Sequence, residues 1–208
     1  MSRLHERITA LKAKLATTGI GAFLDPALPE DEIRRFEERH GITLPEPYRH
    51  FLAEIGDGGV GPGGNDNRRL VEETYYDPYW FLLPDVSREF PYTEASSWRE
   101  DADTTGVEGG EGGEDSTPEN GDDLDALDAP DDFDDLDDAA DLDTFDDFEK
   151  RRHGSLLLRD DGCGTFQLLI VTGPARGQVW TLTEELGISP RAVDYLAWYE
   201  RWLDGPYE

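Results

Sequence analysis

Residues 28–59 read LPEDEIRRFEERHGITLPEPYRHFLAEIGDGG and predict two short amphipathic helices joined by a tight turn. In the first helix Ile33 and Phe36 share one face, with His40 more weakly, and Gly41 is the expected left-handed stop. The second helix carries its apolar residues at positions i, i+3, i+4 and i+7, namely Tyr48, Phe51, Leu52 and Ile55. Helices this short cannot bury their apolar faces alone, so they must pack against another layer of structure.

Strands that could form this layer are predicted late in the chain, at residues 154–162, 163–173 and 178–183. The apolar runs at 156–158 and 168–171 are continuous, which is typical of strands covered on both faces. A broken strand is expected around residues 79–83, between prolines. The glycine-rich residues 56–67 predict an irregular surface loop.

Two further helices complete the pattern, one over residues 3–17 and one that begins at the Ser189-Pro190 pair, a typical N-cap and first helical position. With helices first, strands later and a helix last, the sequence predicts an α+β fold. We expect a mixed or antiparallel central sheet flanked by helices.

The negative charge is concentrated in one segment. Residues 100–149 contain 23 acidic residues and no basic one, so removing them from the net charge of −29 leaves −6 for the other 158 residues. Such a segment repels itself and buries too little apolar surface to fold unaided. We therefore predict one domain in two parts, residues 1–99 and 151–208, interrupted by a disordered acidic insertion at 100–150.

The composition excludes several classes of function. The negative charge disfavours nucleic acid and anionic membranes as partners and favours a basic protein. The four histidines show no metal-ligand spacing, the Asp-rich run lacks the glycine of a calcium-binding loop, and the glycines at 56–64 lack the Lys-Ser/Thr of a phosphate loop. Cys163 has no basic neighbour to activate it and is expected to be a buried structural residue. We expect no catalytic residue, metal or cofactor.

The chain also lacks targeting signals that would change this interpretation. Its first residues contain no apolar signal region, and no run of about 18 apolar residues could span a membrane. A single cysteine is consistent with a reducing compartment, so a cytoplasmic location is expected. The oligomeric state stays open.

Several motifs resemble the SUKH superfamily, the relatives of the fungal Smi/Knr cell-wall assembly regulators. They are EI at 32–33, FE at 36–37, GITLP at 41–45, PY at 47–48, FL at 51–52 and GDGG at 56–59. Segments at 90–94, 154–158, 161–164, 171–174, 177–180 and 199–203 are similar to the bacterial branch. The resemblance covers residues 25–99 and 152–204 and omits the acidic insertion, which is a departure from the family pattern.

This resemblance implies a sheet flanked by helices and no enzymatic activity. Many bacterial members of the superfamily are immunity proteins that bind and neutralise toxins, often nucleases. The sequence therefore predicts a protein-binding module whose partner is a basic toxin domain. The alternative is a regulatory or scaffold protein that docks its partners through the acidic segment.

The acidic segment has two interpretations, a solvated insertion that adds solubility or a polyanion that imitates nucleic-acid phosphates in a basic cleft. Duplex DNA carries about one charge per 1.7 Å, a density that an Asp-rich segment can approach, and phenylalanines could anchor it. The candidate contacts in the segment are Asp131, Asp132, Phe133, Asp134, Asp135, Phe145, Asp146, Asp147 and Phe148. The candidates outside it are Glu94, Trp98, Asp160 and Asp161.

Overall fold

A computed structural model of the chain describes residues 2–67, 69–70, 85–97 and 150–205. In this part of the chain the helices are α1 (Arg3–Thr18), a 3-10 helix (Ile20–Phe23), α2 (Glu30–His40), α3 (Glu46–Glu54) and α4 (Tyr195–Asp204). The strands are β1 (Gly59–Gly61), β2 (Gly64–Asn67), β3 (Ser155–Gly162), β4 (Thr165–Ile170), β5 (Val179–Thr183) and β6 (Gly187–Ala192). None of the helices described is long and apolar enough to cross a membrane.

This arrangement confirms the predicted α+β class, with an antiparallel sheet and helices around it. The predicted strand at 79–83 and the acidic insertion at 100–149 lie outside the described residues. The prediction of one domain in two parts therefore stays a prediction.

Helix α1 has a capping residue at each end. The Ser2 side chain accepts a hydrogen bond from the backbone N–H of His5, and Gly19 ends the helix in the left-handed conformation with φ 73°. Its buried residues are Ile8, Leu11 and Leu15. The periodicity of the sequence predicted this helix to within one residue at its C-terminus.

The predicted turn between α2 and α3 is also confirmed. Gly41 adopts φ 65° and ends α2, as expected for a glycine after the last helical turn. The Glu37 carboxylate then fixes the turn, because its Oε1 accepts hydrogen bonds from the backbone N–H of Leu44 at 2.8 Å and from Arg49 Nε at 3.3 Å. Glu37 of α2 is thereby linked to the turn and to Arg49 of α3.

The glycine-rich residues 56–67 form an antiparallel hairpin of β1 and β2, so the prediction of an irregular loop was wrong. The glycines are needed for close approach: a Cβ at Gly59 would lie 2.6 Å from the carbonyl oxygen of Phe23. Two hydrogen bonds to backbone oxygens hold the hairpin, from Asn67 Nδ2 to Gly59 at 3.2 Å and from the Tyr199 hydroxyl to Val60 at 2.8 Å. Both are tertiary or cross-strand contacts that composition cannot indicate.

The main sheet has the strand order β3-β4-β5-β6, and every neighbouring pair is antiparallel. Leu157 lies opposite Leu168, which lies opposite Trp180 on the next strand. Both faces of the sheet are covered, as the continuous apolar run at 168–171 predicted. Leu156 and Leu157 of β3 are only partly buried, so the same prediction holds less well there.

The helices cover one face of the sheet. The core on this side joins residues of α1, α2, α3 and α4 to the strands, and its members include Ile8, Ile33, Phe51, Leu169, Val179 and Tyr199. Burial raises the pKa of Tyr48 and of Tyr195, so both phenols stay neutral within this core.

The second face carries Phe166, Leu168, Ile170, Trp180, Leu182 and Ile188, and the segment at 85–97 packs on it through Phe90 and Tyr92. The Phe90 ring meets the Trp180 ring edge-on at a centroid distance of 5.2 Å. This segment also joins the sheet edge, where Ser96 and Ile188 exchange backbone hydrogen bonds of 2.9 and 2.8 Å.

The last helix begins later than predicted. Ser189 and Pro190 belong to strand β6, where they pair with Thr181 and Trp180 of β5. The cap of α4 is instead Asp194, whose carboxylate accepts a hydrogen bond from the backbone N–H of Ala197 at 2.6 Å. Prolines fit sheets only at edges and bulges, and both conditions hold here, since β6 ends the strand order and the register shifts between Val179 and Trp180.

Candidate functional site

Three of the predicted contact residues lie in the described part of the chain. Asp160 and Asp161 are at the end of β3, and Glu94 is an exposed residue beside β6. Because β3 and β6 are the two outer strands of the sheet, the structure does not bring Glu94 together with the two aspartates. Trp98 and the candidates from Asp131 to Phe148 lie outside the described residues.

The two aspartates have different surroundings. Asp160 accepts a hydrogen bond from the backbone N–H of Gly162 at 2.8 Å and so shapes the β3–β4 turn. Asp161 begins a polar chain across three strands: it pairs with Arg159 and accepts from Gln167 Nε2 at 2.8 Å, while Gln167 Oε1 accepts from Thr181 at 3.0 Å. The Asp161 side chain is still 30% exposed, so part of its charge faces solvent.

Sequence reasoning missed a second acidic turn at the same end of the sheet. In an antiparallel meander the β3–β4 and β5–β6 turns lie at one end, and the structure places them in contact. The backbone N–H of Glu184 donates to Gly164 at 2.9 Å, and a Cβ at Gly164 would lie 2.9 Å from the Glu184 carboxyl carbon. Glu184 and Glu185 are exposed, and Leu186 beside them is 54% exposed.

We call Asp160, Asp161, Glu184 and Glu185 the acidic turn end. Ser97, the last residue described before the acidic segment, lies at this same end, since a Cβ at Gly187 would lie 2.8 Å from the Ser97 Cα atom.

Cys163 lies at the tip of this end and is exposed, so the prediction of a buried cysteine was wrong. It occupies the turn between Gly162 and Gly164 with φ 51°, a left-handed conformation that non-glycine residues seldom adopt. Turn geometry, which keeps the side chain outside the sheet, explains its exposure. Cys163 is the single cysteine of the sequence.

The described residues contain no group of three or more histidine, cysteine, aspartate or glutamate side chains arranged to hold a metal ion. The histidines in this part of the chain have local roles. His40 lies against the Phe36 ring at a centroid distance of 4.4 Å, and His50 contacts Glu54 on the same helix at 3.0 Å.

These features define a class: an acidic α+β domain with helices on one face of an antiparallel sheet and negative charge at its turn end. The model of the SMI1 / KNR4 family (SUKH-1) matches residues 27–200. The chain belongs to that family, and the match extends over both parts of the predicted domain. No curated protein and no solved structure matched the chain.

Proposed function

We propose that this protein is a non-enzymatic immunity protein that binds a basic toxin domain and blocks its active site. The observation that carries the proposal is the family match over residues 27–200, because immunity to toxins is the role that the resemblance to the bacterial branch implies. The net charge of −29 independently favours a cationic partner.

The contact surface in this proposal combines the acidic turn end with the acidic segment. Carboxylates at the turn end and the aspartates from Asp131 to Asp147 attract the partner over a distance set by the Debye length, about 8 Å at physiological salt. Phe133, Phe145 and Phe148 supply apolar anchors, since aromatic residues contribute strongly to interface energies. A toxin that normally grips nucleic acid offers the basic cleft that such a surface fits.

The test searches the coding sequences adjacent to this chain for a toxin with a basic C-terminal domain and expresses that domain with and without the full-length protein. The expected result is survival of the cells and loss of toxin activity at one equivalent of the protein. Complex formation should weaken steeply between low and high salt, because many charges meet at the interface. Binding to several proteins without loss of any activity would contradict the proposal and favour a scaffold.

A matched pair of variants then tests the surface. Glu184→Gln/Glu185→Gln removes two charges from the acidic turn end and should slow association by several-fold. Asp31→Asn/Glu38→Gln removes two charges from α2, where both side chains are about 60% exposed and pair with arginines of the same helix. This variant should leave association unchanged. Equal effects of the two variants would show that the turn end is not part of the interface.

A further inference from the structure

Strand β6 has opposite charges at its two ends. It begins directly after residues 184–186 of the acidic turn end, and it ends where two arginines come together in space. The Arg201 guanidinium of α4 donates through Nη1 to the backbone carbonyl of Arg191 at 3.4 Å. We call Arg191, Val193 and Arg201 the arginine end.

Both arginines of the arginine end are available to a partner. Each is exposed, and neither has an ion-pair partner among the residues that the structure describes. Two acids close to them in the sequence, Asp194 and Glu200, are already paired with Arg7 of α1. Val193 is 80% exposed, so this end offers an apolar contact as well as two cations.

A β-bulge places Arg191 at this position. The pairing of β6 with β5 passes from Pro190 opposite Trp180 to Ala192 opposite Val179, so Arg191 has no partner on β5. Bulges redirect a side chain out of the regular alternation and are common at sheet edges and next to functional sites. The outward position of Arg191 is therefore set by the geometry of the strand itself.

The backbone edge of β6 is closed to a further strand. Ser96 already takes both outward backbone hydrogen bonds of Ile188, at 2.9 and 2.8 Å. Pro190 lies two residues further along and faces the same way, but it has no N–H to donate. A partner must therefore contact β6 through the side chains at its ends and not by extending the sheet.

We propose that two copies of this chain associate side by side with their β6 strands antiparallel, so that the acidic turn end of each copy meets the arginine end of the other. Antiparallel pairing brings opposite charges together at both ends, whereas parallel pairing would bring like charges together. The arrangement has twofold symmetry, the commonest in protein dimers, in which each contact occurs twice. Leu186 of one copy and Val193 of the other supply an apolar contact beside each group of charges.

The spacing of the two ends is compatible with this dimer. They are separated by the six residues of β6, about 20 Å of strand, and the separation is the same in both copies. When one end is in contact, the other is therefore in register. A second copy supplies both the acids and the arginines of the contact, which is why we favour it over an unrelated acidic protein.

The negative charge of the chain opposes this association. Most of that charge belongs to residues 100–149, and the other 158 residues carry −6. Physiological salt screens charges that lie more than about 8 Å apart, so the attraction at the two contacts acts at short range. The contacts are small for a protein interface, and we expect a dimer in exchange with monomer. A toxin at the acidic turn end would compete with the second copy, but the inference does not depend on the proposed function.

The test is a charge exchange between two variants of the full chain, measured by sedimentation velocity over a range of concentrations. Arg191→Glu/Arg201→Glu and Glu184→Lys/Glu185→Lys each place like charges opposite one another at both contacts. Wild type should exchange between monomer and dimer, and each variant alone should stay monomeric. An equimolar mixture of the two variants should form dimers again, because every contact in the mixed dimer joins opposite charges.

The matched control is Arg34→Glu/Arg35→Glu, on exposed positions of α2. It changes the net charge by the same amount as Arg191→Glu/Arg201→Glu and should still dimerise. Far-UV circular dichroism checks that every variant is folded, and a variant that fails this check is replaced by its glutamine counterpart, which should also weaken the dimer.

Three outcomes would overturn the inference. One is a wild-type protein that stays monomeric at every concentration, and another is a mixture of folded variants that does not restore dimers. The third is growth beyond dimers, because the twofold arrangement closes at two copies. Binding of poly-glutamate to a monomeric wild type through Arg191 and Arg201 would assign the arginine end to an acidic partner protein instead.

Discussion

Gly154 shows at the scale of a single residue how the two parts of the chain meet. It has φ 67°, and a Cβ there would lie 2.6 Å from the carbonyl oxygen of Arg88 and 2.7 Å from the backbone nitrogen of Phe90. Both neighbours are backbone atoms, which cannot rotate away as a flexible side chain can. Any side chain at this position must therefore separate the segment at 85–97 from the start of β3.

We expect Gly154→Ala to lower the free energy of unfolding by about 2–4 kcal/mol, as the sum of left-handed strain and backbone collision. Gly162→Ala is the matched control, because Gly162 has φ 78° but a Cβ added there would meet nothing within 4 Å. Gly162→Ala should lower the free energy of unfolding by about 1 kcal/mol, because it introduces only the strain of a left-handed alanine. Urea unfolding of both variants measures the difference, and equal costs would show that the close approach at Gly154 is unimportant.

At the scale of elements, one arginine joins the first helix to the last. Arg7 of α1 donates to both carboxylate oxygens of Asp194, at 2.7 and 3.1 Å, and to Glu200 of α4 at 2.8 Å. Burial alone would raise the pKa of Asp194, but the hydrogen bonds from Arg7 and from the backbone N–H of Ala197 outweigh it and lower the pKa below its ordinary value of 3.8. The same pairing raises the pKa of Arg7, so the ion pair persists at neutral pH.

Arg7→Met should therefore destabilise the protein by about 1–2 kcal/mol at pH 7. The variant loses the ion pairs between the two helices, while the methionine keeps an apolar side chain at position 7. Since the folded-state pKa of Asp194 is lowered, its contribution is present above pH 3.8 and is lost as the pH falls below that value. The difference in the free energy of unfolding between the wild type and Arg7→Met should accordingly become smaller below pH 3.8. Thermal unfolding at a series of pH values measures it.

Arg34→Met is the control for this prediction. Arg34 pairs with Glu38 one turn along α2, and the two side chains are 59% and 61% exposed. Pairs of this kind contribute little to stability, so the variant should stay within about 0.5 kcal/mol of wild type. A pH-independent cost of Arg7→Met would mean that packing, and not the ion pair, is what the variant loses.

The elements also show which parts of the fold local sequence can predict. Helices α1, α2 and α3 were predicted because their caps and apolar periodicity lie within each helix. Strand β6 was missed because Ser189-Pro190 has the local chemistry of a helix start, while pairing with Thr181 and Trp180 decides the outcome. The β1–β2 hairpin was missed for the same reason, since it depends on contacts with Phe23 and Tyr199.

The candidate site follows the same division. Asp160 and Asp161 lie at the end of a strand that the sequence predicted over residues 154–162. Glu184, Glu185 and Leu186 could not be assigned to that surface until β6 was known to follow them as a strand. Glu94 was grouped with the aspartates because both are acidic, but the pairing of Ser96 with Ile188 carries it to the opposite edge of the sheet.

At the scale of the whole molecule, the helix-side core draws on both parts of the chain. Ile33 and Phe51 from the first part pack in one cluster with Val179 and Leu196 from the second. The second core likewise unites Phe90 with five apolar side chains of β4 and β5. These shared contacts support the prediction that residues 1–99 and 151–208 form one domain.

Cutting the connection should therefore leave the protein assembled. We expect a chain with a specific protease site in place of residues 115–121 to be cleaved into two fragments that migrate as one species in size-exclusion chromatography. The fragments should separate only in denaturant, and the far-UV circular dichroism spectrum should keep its helix and strand signals. Cleavage removes the loop-closure constraint, whose entropic cost grows by only about 0.6 kcal/mol per doubling of loop length.

The uncut chain with the same site is the control for the inserted sequence, and the melting temperature of the nicked protein should depend on concentration because two molecules must now meet. This dependence separates true reassembly from residual uncut chain. If the fragments instead elute apart in native buffer, each retaining ordered structure, residues 1–99 and 151–208 are two domains. In that case the cores that join Ile33 to Val179 and Phe90 to Trp180 contribute far less to stability than their burial implies.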